Sequence, residues 1–91
     1  MKKIRKHFIF HGQVQGVGFR YTACYIAKSL GLTGWVMNEY DGTVIAEVQG
    51  DEPAVDQFIN QIHTTGRYIS IDWVDEKVIP LVEERSFRTR N

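Results

Sequence analysis

Cysteine is nearly absent: Cys24 stands alone in the chain. No intrachain disulfide can form, and a thiolate zinc site is not expected. A lone thiol fits a reducing compartment. Long apolar runs are missing too; nothing approaches the roughly 20 consecutive apolar residues that span a bilayer. The basic N-terminus MKKIRKHFIF is followed by too short an apolar run, with no small-residue cleavage site, to be a secretory signal. The cytoplasm is therefore the expected compartment, with no membrane partner. Net charge is lacking as well: eleven basic residues balance eleven acidic ones. The chain has no general pull toward nucleic acid, so any anion must be held by local arrangement. At 91 residues it reads as one small domain, 1–91, with no linker, repeat or low-complexity segment. Its core is modest, so most apolar residues must serve the fold.

Periodicity supplies the layout. KHFIFHG, Lys6 to Gly12, alternates as a strand, with Phe8 and Phe10 on one face and His7, Ile9 and His11 on the other. In YTACYIAKSLG, the residues Ala23, Ile26, Ala27 and Leu30 recur at helical spacing, and Gly31 marks the stop. TGWVMNEY and GTVIAEVQG read as two strands joined at Asp41-Gly42, a hairpin pair in which both central positions tolerate positive φ. A second helix is expected from Glu52 to Thr65, with Val55, Phe58, Ile59 and Ile62 on its apolar face and Asp51 as N-cap. YISIDWVDEKVI is a fourth strand, with an irregularity expected near Asp75-Glu76. SFRTR is a short fifth strand or the end of a hairpin. The order β-α-β-β-α-β plus a short strand predicts an α+β fold of ferredoxin-like type, an antiparallel sheet with two helices on one face.

Between the first strand and first helix lies GQVQGVGFR, Gly12 to Arg20. Glycines let consecutive N–H groups point into one concavity, and a helix N-terminus adds positive charge. Two known phosphate motifs are excluded. No Lys-Ser or Lys-Thr follows the last glycine, as a P-loop needs. The dinucleotide fingerprint fails at its third glycine, where Tyr21 stands, although Glu39 lies at the distance that motif wants. Two readings remain for the loop alone. It is a cradle for one phosphate-sized anion with Arg20 at its end, or a tight connection with a solvated arginine.

The whole of GQVQGVGFR resembles the first signature of the acylphosphatase family, G-x-V-Q-G-V-x-F-R. GWVMNEYDGTVIAEVQG, Gly34 to Gly50, is similar to the second. The resemblance covers essentially the full chain, and it settles the loop in favour of the cradle. It implies a small cofactor-free and metal-free enzyme that hydrolyses the carboxyl–phosphate bond of acyl phosphates. By position, Arg20 is the substrate-binding arginine and Asn38 the residue that positions the attacking water. The backbone amides of Gln15, Gly16, Val17, Gly18, Phe19 and Arg20 form the phosphate cradle, which inorganic phosphate or sulfate can also occupy. Thr43 is a candidate to hold the Asn38 amide; its other reading is a strand threonine. A monomer is expected.

The chemistry suits those residues. The leaving group is a carboxylate, stable without a proton, so a general acid is dispensable. What remains is positioning and charge stabilisation of the transferring phosphoryl group. Other residues invite weaker readings. His7 and His11 lie about 13 Å apart at ~3.3 Å per residue, too far to share an ion. His63 sits on the second helix, so no metal is expected. His11 either adds positive potential near the loop or simply faces solvent. Cys24, among Ala23, Ile26 and Ala27, reads as an inert, half-buried thiol rather than a nucleophile. An RNA-recognition motif shares this layout, but TVIAEV lacks its basic-glycine-aromatic run. An acylphosphatase-like regulatory domain that binds phosphate or carbamoyl phosphate without turnover is the alternative function. The short, self-contained chain and the presence of both Arg20 and Asn38 favour the enzyme.

Overall fold

The computed structural model describes residues 2–90; Met1 and Asn91 lie outside them. Five strands and two helices follow the expected order: β1 Lys3–Gln13, α1 Phe19–Ser29, β2 Thr33–Asn38, β3 Val44–Asp51, α2 Glu52–Thr64, β4 Ser70–Ile79 and β5 Phe87–Arg90. They form one sheet in the order β4-β1-β3-β2-β5. β1 and β2 both flank β3, and β3 and β4 both flank β1, so each helix crosses over one intervening strand. This is the split βαβ arrangement of the ferredoxin-like fold.

The sheet is antiparallel except at one edge. β5 pairs parallel to β2, from Gly34↔Phe87 to Met37↔Arg90. The final strand is therefore not part of a hairpin. The core lies on one face, under both helices. Phe8 and Phe10 from β1, Val36 from β2, and Val44, Ala46 and Val48 from β3 meet Ala23, Ile26 and Ala27 from α1 and Val55, Phe58 and Ile62 from α2. These are the alternating strand positions and the helical stripes that the sequence presents.

β1 begins three residues earlier than Lys6, because Arg5 is buried rather than solvated. It lies on the sheet face away from the helices. Its guanidinium meets Glu47 at 3.0 Å and Glu84 at 2.8 Å, and also donates to Gln49. Segment 80–86 thus lies across this face, held again by reciprocal bonds between the Gln49 amide and the Val82 backbone. Burial alone would raise the Glu47 pKa. Hydrogen bonds from His7 and Arg5 outweigh that and hold it below its ordinary value of 4.5.

Local details differ from expectation in three places. The β2–β3 turn does not use two residues of positive φ. Asp41 keeps negative φ, and Gly42 alone, at φ 94°, is left-handed. Glu39 carbonyl accepts from the Gly42 N–H and Glu39 N–H donates to Thr43, a three-residue loop closed by a glycine bulge. The irregularity of β4 lies opposite His11/Gly12, where pairing jumps from Trp73 to Ile71, and not at Asp75-Glu76. Asp51 occupies the α2 N-cap position, but its carboxylate makes no capping hydrogen bond. The end of α1 is as expected. Gly31 N–H bonds to Lys28 carbonyl and Leu32 N–H to Ala27 carbonyl, the Schellman pair.

Candidate active site

The loop from β1 to α1 is anchored at both ends and open between. Val14 and Phe19 are buried, and the Phe19 ring packs 4.8 Å from Phe10. Gly16 and Gly18 between them are exposed, with φ of 72° and 80°. A non-glycine residue resists that conformation, so the two glycines let the chain turn its N–H groups outward. Gly18 is the N-cap of α1 and supplies no side chain to it. The first helical bond runs from Thr22 N–H to the Gly18 carbonyl. Among the described residues, the amides of Gln15 through Tyr21 donate to no protein acceptor. They are the unpaired donors of a helix N-terminus, extended backward by the loop.

Arg20 belongs to the first turn of α1 and is half-buried. It forms no ion pair among the described residues. Asn38 is the last residue of β2. Strand alternation puts it on the same face as Val36, the helix-covered face, so its side chain meets the start of α1. Arg20, Asn38, Gly16, Gly18 and Tyr21 line one cleft of about 220 Å³, floored by Val14 and Phe19. The structure therefore gathers residues of both sequence signatures around one cleft. The Asn38 amide has no protein partner among the described residues and is open to that cleft.

Gln15 has a role beyond its backbone. Its side-chain amide donates to the Glu39 carbonyl at 2.6 Å and to the Thr43 carbonyl at 2.8 Å. Those carbonyls flank the β2–β3 turn just beyond Asn38. One side chain of the cradle thus fixes the strand end that carries Asn38. The motif marked Gln15 only as a backbone contributor, and nothing in the sequence sets its side chain apart from that of Gln13. Thr43 differs from its expected role. Its hydroxyl donates to the Asp41 carboxylate at 2.7 Å, and its N–H does so at 3.0 Å, rather than either meeting Asn38. The hydroxyl first and the N–H second hold the Asp41 carboxyl below the usual range. Thr43 shapes the turn.

His11 is not at the cradle. It stacks on Trp73 with ring centroids 4.2 Å apart and meets Asp75 at 2.9 Å, beside the turn. Cys24 is half-buried; burial pushes its thiol pKa up, against the pull of Lys28 and Arg20. A raised pKa argues against a nucleophile. Among the described residues no three His, Cys, Asp or Glu side chains could hold a metal. No described helix is long and apolar enough to cross a membrane.

Comparison with known proteins gives the same picture. The acylphosphatase family model matches residues 6–89. The acylphosphatase of Bifidobacterium longum (strain NCC 2705) is 39% identical over 89 residues, covering 96% of this chain and 92% of that protein. The crystal structure of acylphosphatase from Bacillus subtilis superposes with a TM-score of 0.92 at 28% identity, covering 97% of this chain and 99% of the other. A crystal structure of full-length HypF in a phosphate- and nucleotide-bound form matches with a TM-score of 0.90 at 30% identity, over 99% of this chain but 12% of that one. With the two signatures meeting in a single cleft, the chain belongs to the acylphosphatase family, hydrolases that act on acyl phosphates.

Proposed function

We propose that the protein hydrolyses acyl phosphates to a carboxylate and inorganic phosphate without a metal, and that the cleft between Arg20 and Asn38 is where it does so. The observation that carries the reading is the convergence of Arg20, Asn38 and the open loop backbone on that cleft. In this reading the amides of Gln15 to Arg20 and the Arg20 guanidinium hold the non-bridging phosphoryl oxygens. Arginine suits this because its planar fork matches two oxygens and is always charged. The same donors strengthen as charge redistributes in the transition state.

Asn38 orients water and does not deprotonate it, since an amide is far too weak a base. Its carbonyl accepts a hydrogen bond from the water, which then attacks phosphorus in line with the departing carboxylate. Gln15 keeps Asn38 in register with the cradle through the two carbonyls beyond it. The acyl–phosphate bond breaks toward oxygen of the carboxylate, so no acid is required at the leaving group.

The second reading is a binding domain of the same fold that holds phosphate or carbamoyl phosphate without turnover. The likeness to a small part of HypF favours it. Hydrolysis of benzoyl phosphate, with a chelator present, separates the two. Turnover that survives the chelator and collapses in Asn38→Ala supports the enzyme. Phosphate binding near Arg20 without turnover supports the binding domain.

A further inference from the structure

The sheet face away from the helices carries a cleft of its own, which shares no residue with the cradle. It holds about 410 Å³, in the angle between segment 80–86 and the β2–β5 edge. Gly34 and Trp35 of β2 line it, with Glu83, Glu84 and Arg85 from the segment and Arg88 and Arg90 from β5. Strand alternation explains the gathering. Phe87 belongs to the core, so Arg88 and Arg90 point to the other face. Trp35 points there too, beside the core residue Val36 and in register with Arg88. Two contacts bring the segment over them. The Ser86 carbonyl accepts from the Gly34 N–H at 3.1 Å, and Glu84 accepts from the buried Arg5.

The charges around this cleft do not cancel. Glu84 is already matched, because Arg5 bonds both of its oxygens, at 2.8 and 3.5 Å. That leaves Glu83 against three guanidinium groups. Among the described residues Arg85, Arg88 and Arg90 make no ion pair. Arg90 lies over the Trp35 ring, 4.5 Å from its centroid, which keeps its charge beside the space. An exposed edge strand uses charge to discourage pairing with other chains, and that accounts for Arg88 and Arg90. It does not account for Arg85, which lines the same space from a different segment.

We infer that this cleft binds a phosphate chain of two or more units, held by Arg85, Arg88 and Arg90 with Trp35 as its apolar wall. Each guanidinium fork matches a pair of phosphate oxygens. Arg88 and Arg90 stand two residues apart on a strand, about 7 Å at ~3.3 Å per residue. Linked phosphates can meet several such forks at once. The same chemistry is offered by a free oligophosphate and by the phosphate tail of a nucleotide. The inference does not depend on the function proposed for the cradle.

Calorimetric titration of the full chain at low ionic strength tests this, with tripolyphosphate and metal-free ATP as probes. Arg20→Ala is the background, because it removes the guanidinium of the cradle. One tripolyphosphate should bind per chain. Arg85→Met and Arg88→Met should each weaken it about tenfold or more, the size of a lost charged hydrogen bond. Glu83→Gln, which removes the opposing carboxylate, should tighten it about two- to fivefold. Added salt should weaken it. Folding of each variant is checked by its Tm. ATP that binds no more tightly than tripolyphosphate supports a free oligophosphate as the ligand. Tighter binding of ATP, lost in Trp35→Leu, supports a nucleotide. Absence of a saturable site in Arg20→Ala overturns the inference. So does an affinity unmoved by Arg85→Met, Arg88→Met and their double variant.

Discussion

Arg20 and Asn38 line the same cleft but should fail in different ways. Arg20→Ala removes a charged hydrogen-bond donor from phosphate, a loss of about 1.5–3 kcal/mol in the ground state and more where transition-state charge is involved. Binding of inorganic phosphate, followed by calorimetry, should weaken by roughly tenfold or more, and turnover should nearly vanish. Asn38→Ala should leave phosphate affinity largely intact while kcat falls by roughly 10²-fold or more. Equal loss of phosphate affinity in both variants would refute the division of roles. Gln15 sits one step back. Gln15→Leu removes both bonds to the turn carbonyls while leaving the loop backbone unchanged in sequence. It should lower kcat more than it weakens phosphate binding, because it loosens Asn38 and not the amides. A phosphate affinity that drops as far as kcat would place Gln15 in the cradle itself. Arg20 and Asn38 could be singled out because each stands at a matched position of a recognisable motif. The Gln15 side-chain bonds were not, since their partners lie 24 and 28 residues away.

At the scale of elements, the loop depends on its two left-handed glycines. A Cβ on Gly18 would meet nothing within 4 Å, so the cost of Gly18→Ala is backbone strain alone. With φ at 80°, that strain should destabilise the fold by about 1–2 kcal/mol, measured by urea denaturation. If the variant instead relaxes the loop, stability will be spared and phosphate affinity will fall. Both results together would mean strain shared between loop and helix. The helices and inner strands were readable because burial of one face imposes a period on the sequence; Val55, Phe58 and Ile62 are buried on α2 as their spacing requires. The turn and the bulge were less so. Asp-Gly signals a tight turn, but here the Asp41 carboxylate caps Thr43 and the chain takes a longer loop. The irregularity of β4 belongs to its pairing with Gly12, so no residue of β4 itself announces it.

Across the whole molecule, the sheet face away from the helices is held by charge rather than by apolar packing. Arg5 links β1, β3 and segment 80–86 through Glu47 and Glu84. Removing Arg5 leaves two carboxylates facing each other without their cation, and Arg5→Ala should cost about 3–5 kcal/mol of stability. The sign of the pH dependence follows from Glu47. Its folded pKa lies below the ordinary 4.5, so its contribution is present above that value and is lost as pH falls through the folded pKa. Thermal melts should therefore drop steeply in acid, and Glu47→Gln should flatten that limb. An unchanged acid limb in Glu47→Gln would assign it to other carboxylates. This network was hidden in the sequence. KKIRK shows only a basic run in which nothing marks Arg5 apart from its neighbours, and its partner Glu84 comes 79 residues later.

The strand order also governs the timing of folding. β1 leaves the ribosome first, yet it lies inside the finished sheet between β3 and β4. Its outer neighbour joins it through pairs as distant as Arg5↔Ile79. Phe8 and Phe10 therefore wait, unshielded by β4, until the chain is nearly complete. Such non-local closure slows folding toward the millisecond-to-second range, and synthesis proceeds at only about 5–20 residues per second. For most of its synthesis the chain exists as a strand without its outer flank.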